Sequence, residues 1–152
     1  MPHWDGKTQA KTTLWIELKP EALWTNFSGP LYRGRGNTTS PNFRSKNGFR
    51  SQDIDIRHDN ETNTFWVYPN PEKGFSFATN MERLERIRIK GWVWMLPQGQ
   101  KIPDGLLFNL NKDEPDHPLL NVSKKMTVDA LDTLLESLKS KMKPTNYKIK
   151  GS

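Results

Sequence analysis

The sequence predicts one α+β domain whose mixed or antiparallel sheet core is split into two packed layers and carries one long C-terminal helix. Three observations lead there. Short strand-like segments, of which Thr12 to Leu18 alternates strictly, recur between Thr12 and Leu110. A single strong helical stripe closes the chain, and 152 residues suffice for one respectable core rather than two.

Met1 to Lys11 is polar and reads as a loose end. From Thr12 to Leu18, Leu14, Ile16 and Leu18 alternate with Thr13, Trp15 and Glu17, the period of a strand. Pro20 lacks an N–H that the first helical turn would leave unused, so it opens a short helix with Ala22, Leu23 and Trp24, which Gly29-Pro30 ends. Leu31 to Arg33 is a brief strand. Across 34–63, Gly, Asn, Ser, Thr, Arg and Asp crowd out any apolar period, so this long polar insertion is expected to be the least structured part. Phe65 to Tyr68 is an aromatic strand broken by Pro69-Asn70-Pro71, and Gly74 to Ala78 is another short one. Thr79-Asn80-Met81-Glu82 has the form of a capping box, with Thr79 as the cap of a helix whose inner face holds Met81 and Leu84.

Ile87 to Leu96 is the strongest strand pattern. Pro97-Gln98-Gly99-Gln100 then turns, Gly99 supplying a positive φ; Pro103-Asp104-Gly105 turns again before a strand from Leu106 to Leu110. Val128, Leu131, Leu134, Leu135, Leu138 and Met142 form the stripe of the final helix, capped by Thr127 and stopped by Pro144. Residues 145–152 read as a second loose end, from which Asn146 to Lys150 can add an edge strand.

Composition narrows the chemistry. Lys and Arg outnumber Asp and Glu by 23 to 17, giving a formal charge of +6 that favours anionic partners. The hydrophobic fraction is only 34%, but six Trp, seven Phe and three Tyr supply large apolar area, so the core is expected to be built on aromatics. The absence of Cys excludes disulfides, thiolate nucleophiles and cysteine zinc sites. No apolar run approaches the roughly 20 residues of a spanning helix, and no basic segment leads into an apolar one at the N-terminus. A soluble chain with no membrane role is expected, one that leaves its cell, if at all, without a conventional signal peptide. The sequence contains no Gly-x-x-x-x-Gly-Lys-Ser/Thr loop, strand-borne Gly-x-Gly-x-x-Gly or His-Glu-x-x-His helix.

Two short stretches carry the functional reading: Leu31-Tyr32-Arg33-Gly34, and Gly74-Phe75-Ser76-Phe77-Ala78-Thr79. An arginine closing one strand and a serine on another, leading into a capped helix, can grip a pyrophosphate and a ribose. Together with the aromatic strand and Met95-Leu96-Pro97-Gln98-Gly99-Gln100-Lys101-Ile102-Pro103-Asp104-Gly105-Leu106, this layout resembles the small ADP-ribosyltransferase-like toxins. It is most similar to the small toxin family typified by a type VI secretion effector, with fungal relatives. The C-terminal half of that family has an Ile-Pro turn, a Leu-rich strand, an Asp-His pair and a Met-initiated helix. The counterparts here are Ile102-Pro103, Leu106 to Leu110, Asp116-His117 and Met126 to Leu138. Roughly two thirds of the chain can be laid onto this plan.

The resemblance implies two packed small sheets in an ADP-ribosyltransferase-like fold and NAD as cofactor. It further implies a protein or nucleic-acid acceptor, action in the cytoplasm of a target cell after delivery by a secretion system, and neutralisation by an immunity protein. Arg33, flanked by Tyr32 and Gly34, would hold the pyrophosphate, because its planar fork matches phosphate oxygens. Ser76 would bond the ribose or steady the nicotinamide pocket, Thr79 would stiffen the strand before it, and Trp94 or another of Trp66, Tyr68, Phe75 and Trp92 would stack on a ring. Transferases of this class place a Glu after the aromatic strand, where this chain has Gln98-Gly99-Gln100. Gln100 therefore occupies the catalytic position, with Asp104, Glu114 or Asp116 as carboxylates from nearby loops; the alternative is a protein that binds NAD or RNA and transfers nothing.

Other readings stay open. Arg33, Arg35, Arg44, Lys46, Arg50 and Arg57 stand among Phe43 and Phe49 in the polar insertion, a mixture that can track a nucleic-acid backbone while aromatics stack on bases. Asp53, Asp55 and Asp59 dilute it. Asp113 to His117 reads as a solvated turn rather than a metal site, and a third class is a non-catalytic interaction domain.

Overall fold

The first alternating segment becomes β1 (Trp15–Leu18) in the computed structural model, which describes residues 14–44 and 48–150. Pro20–Ala22 forms a 3-10 turn leading into α1 (Leu23–Asn26). The strands that follow are β2 (Leu31–Gly36), β3 (Asp55–Asp59), β4 (Thr64–Tyr68) and β5 (Phe75–Ser76). After α2 (Met81–Arg86) come β6 (Gly91–Leu96), β7 (Leu106–Asn111), β8 (Leu119–Val122) and β9 (Met126–Thr127), then α3 (Val128–Lys139) and β10 (Lys143–Ile149).

All pairings are antiparallel, and they build three sheets instead of the expected two: β1-β7-β8-β5, β10-β6-β2 and β3-β4-β9. The extra sheet depends on β3, whose five residues lie in polar sequence, and on a two-residue β9 too short to show a period of its own. An isolated bridge between Tyr32 and Ala78 ties the first sheet to the second, with Tyr32 N–H donating to Ala78 O at 2.7 Å and Ala78 N–H to Tyr32 O at 2.9 Å. That tie brings Arg33 and Ser76 into contact.

The C-terminal helix is not long: it has 12 residues and ends at Lys139. Its stripe runs on to Met142 because Met142 reaches the core from the hydrogen-bonded turn after the helix. Thr127 caps it as expected, accepting from Ala130 N–H at 3.1 Å. Thr79 does not cap α2. Asn80 does, taking Arg83 N–H at 2.8 Å, while Thr79 N–H is spent on Asp116 O at 3.1 Å. The C-terminal segment is paired up to Ile149 as β10, the edge strand read at 146–150, rather than loose from 145. The expected loose end 1–11 lies outside the described residues.

Among the described residues of the polar insertion, the few apolar side chains are anchored in the core. Phe43 and Ile54 are fully buried, and Phe49 packs against them. Phe43 sits 5.5 Å edge-on to Phe75 and 5.9 Å from a stacked Phe77, so the loop carrying it is pinned into the main core. A smaller core of Ala78, Leu84, Ile89, Val93 and Ile149 lies between α2 and the other face of β6.

Candidate functional site

Arg33 stands opposite Trp94 in the β2–β6 ladder, on the face turned to the main core. Only 3% of it is exposed. Its Nη1 donates to Ser76 O at 2.9 Å, and its Nε and Nη2 both donate to Asn42 O at 3.2 and 3.1 Å. The guanidinium also lies 4.9 Å from the Phe43 ring centre and 5.5 Å from that of Phe75. Burial pushes it down to about 9 against the favourable field of Asp53, which leaves it charged at neutral pH. Arg33 and Ser76 are thus neighbours, but Ser76 offers its carbonyl, and three of the five N–H donors of Arg33 are committed to the protein.

What Arg33 holds is the 37–44 loop. The carbonyl of Asn42 is clamped by Arg33 and its side-chain Oδ1 accepts the backbone N–H of Arg44 at 2.8 Å, so one residue links the buried guanidinium to the backbone of Arg44. The loop begins with Asn37, whose Oδ1 takes the N–H groups of Thr39 and Ser40 at 2.8 and 2.7 Å and whose carbonyl accepts Trp94 Nε1 at 2.9 Å. Trp94, expected to stack on a ligand, is therefore a buried wall.

Between this loop and α3 lies a cleft of about 420 Å³. Arg35, Asn42 and Arg44 line one side, and Asp132, Glu136 and Lys139 the other. Arg35 sits where the β2–β6 register slips, a β-bulge, with φ of 65°. Gly91, at φ of 96°, makes room for it: a Cβ there would lie 3.0 Å from Arg35 Cα. Arg44 has φ of 60°. A left-handed non-glycine residue costs about 1 to 2 kcal/mol, and two arginines in that state face the same cleft. Burial lowers the Arg35 pKa, and the nearby Arg50 and Arg44 charges lower it further against the opposing field of Asp53.

The other sequence-predicted residues scatter. Gly34 is small because a Cβ would meet Ile89 Cγ2 at 2.1 Å, and Tyr32 packs on the smaller core. Gln100 and Asp104 lie on the β6–β7 connection; the Gln100 carbonyl accepts Trp24 Nε1 at 2.8 Å, and Asp104 is exposed beside Lys101. Glu114 lies beyond the far end of β7, about 20 Å of strand away. It joins Arg83 at 3.3 Å, and Asp116 is 3.0 Å from Arg86. None of Gln100, Asp104 and Glu114 lines the 420 Å³ cleft. Sequence reasoning missed Asp132, although Asp132, Glu136 and Lys139 form an i, i+4, i+7 polar stripe beside the apolar face of α3.

A family model described as the Tse2 ADP-ribosyltransferase toxin matches residues 29–147 of the 152. The chain belongs to the Tse2 ADP-ribosyltransferase toxin family. No match is found among curated proteins or among solved structures. The span matched to the Tse2 family takes in Arg33, Ser76 and every residue of the cleft. Among the described residues, no helix is long and apolar enough to cross a membrane.

Beside α2 in this Tse2-family domain, His117 Nδ1 lies 3.4 Å from Arg83 Nη2 and its buried Nε2 has no partner. Burial and then the Arg83 charge hold the imidazole below its usual 6.5. The unfolded chain therefore takes up the proton first, so this contribution is complete above pH 6.5 and is lost as pH falls below it. Urea unfolding of wild type and His117→Gln at pH 7.5 and 5.5 should show a smaller acid loss in the variant. Equal losses would remove His117 from the acid sensitivity.

Proposed function

We propose that the protein binds NAD in the cleft between the 37–44 loop and α3 and transfers its ADP-ribose to a macromolecular acceptor. The observation that carries this reading is the pair of left-handed arginines, Arg35 and Arg44, lining one cleft, with the buried Arg33 clamping the loop that carries Arg44. Their forks suit the two phosphates of a dinucleotide. Arg33 acts as a positioning residue through the Asn42 carbonyl, and Ser76 supports Arg33 through its own carbonyl without lining the cleft.

Asp132, half-buried across the cleft, supplies the carboxylate absent from Gln98-Gly99-Gln100. As the ribose C1–N bond breaks, its electron pair goes to nicotinamide, and positive charge builds on the ribose. Asp132 stabilises that charge. The acceptor nucleophile then bonds to C1, and its proton passes to the carboxylate.

Calorimetric titration with NAD tests binding, and nicotinamide release tests the chemistry. Asp132→Asn should keep the NAD affinity within about threefold while slowing release about a hundredfold. No heat of binding at millimolar NAD would end the proposal, and an undiminished rate in Asp132→Asn would clear that carboxylate of a catalytic role.

A further inference from the structure

Away from the cleft, the end of α2 and the edge strand β10 enclose a groove of about 460 Å³. Arg88, Lys90, Lys148 and Lys150 line it, and the only acidic side chain there is Glu85, which receives the Tyr147 hydroxyl. Several cations outside the groove meet carboxylates, as in Arg50–Asp53, Arg57–Asp55 and Arg86–Asp116. Among the described residues, none of the four groove cations has an ion-pair partner. Like charges gathered without partners cost free energy that a bound polyanion returns.

The groove also presents a fixed ring. The β10–β6 register shifts between Pro144 and Lys148, and Asn146 within the bulge has φ of 62°. Thr145 Oγ1 donates to Val93 O at 2.8 Å and accepts Tyr147 N–H at 3.2 Å. This turns Tyr147 outward, 42% exposed, with its hydroxyl tethered to Glu85. Ile149 is buried, so Lys148 and Lys150 flank it on the outer face of the strand.

We infer that this groove binds single-stranded nucleic acid, its four cations on the phosphates and Tyr147 against a base. An acidic peptide would use the charges but leave the ring without a planar partner, and a duplex would hide its bases from it. The assignment of this strand as the acceptor rests on the proposed transferase; its binding does not. Lys148 and Lys150 lie beyond the span matched to the family.

Fluorescence anisotropy with short labelled oligouridylate and oligothymidylate tests the inference. Four phosphate contacts on a single strand give a log–log salt slope of about −3. Lys148→Glu with Lys150→Glu should weaken binding at least about tenfold and reduce the slope to roughly half. Tyr147→Ala should weaken it about tenfold with the slope unchanged. Lys112→Glu with Lys124→Glu, an equal change in net charge, should cost less than about threefold. Absence of binding at low salt, equal losses in the two double variants, or displacement by polyglutamate as effective as by unlabelled RNA would overturn it. Thermal melting checks that each variant is folded. If NAD fails to bind but the oligonucleotide results hold, the transferase reading falls and the groove stands.

Discussion

Replacing Arg33 with alanine should destabilise the protein by about 3 kcal/mol, read by urea unfolding at pH 7 with an unchanged denaturant slope. Three charge-assisted hydrogen bonds disappear, and the Asn42 and Ser76 carbonyls lose their partners inside the molecule. A void also opens between Phe43 and Phe75. Relief of the desolvated charge offsets part of this loss, which is why the figure stays below the roughly 5 kcal/mol at the upper end for broken buried pairs. Arg33→Lys keeps the charge but cannot span both carbonyls, so it should recover less than half. A loss under about 1 kcal/mol in Arg33→Ala would mean that water replaces the guanidinium at both carbonyls.

Arg44→Gly should behave in the opposite way. Glycine adopts φ of 60° freely, and the substitution removes one of three crowded cations, so stability should hold or rise by about 1 kcal/mol. Affinity for NAD should fall about 10- to 100-fold, the worth of a charged hydrogen bond to phosphate. Calorimetric titration and thermal melting on the same samples separate the two effects. A variant that is both more stable and equally tight would show that the left-handed arginine is not kept for the cofactor.

These expectations show where sequence was and was not sufficient. Trp15–Leu18 forms where its alternation places it, Thr64–Tyr68 and Leu106–Asn111 form where strands are expected, and the strand expected from Ile87 begins only at Gly91 because Ile87 ends α2. The sequence of β8, Leu-Leu-Asn-Val, does not alternate, the two-residue β9 is too short to show a period, and β3 exists because β4 offers it a partner. The helix cap moved from Thr79 to Asn80 because the Thr79 N–H found Asp116 O, a contact 37 residues distant in sequence.

The site divided along the same line. Two strands and a resemblance put Arg33 and the Ser76 hydroxyl in one ligand crevice, whereas Arg33 is buried against the Ser76 carbonyl and neither residue lines the cleft. The direction of the guanidinium was not legible, since it depends on Asn42 and on the Phe43 anchor closing over it. Arg35 and Arg44 are visible as basic residues, but their convergence on one cleft requires a bulge and an Asx-type turn that no local pattern announces.

By itself the sequence determined the α+β character, the basic charge, the absence of thiol chemistry and the kinship with small transferase toxins, because these follow from composition, local period and short motifs. The tertiary structure alone decided that there are three sheets, that Arg33 braces a loop, and that Asp132 faces Arg35 and Arg44. The physical reason is that long-range pairing and burial fix where a backbone bulges and which way a charged side chain turns, and both are set by partners far away along the chain.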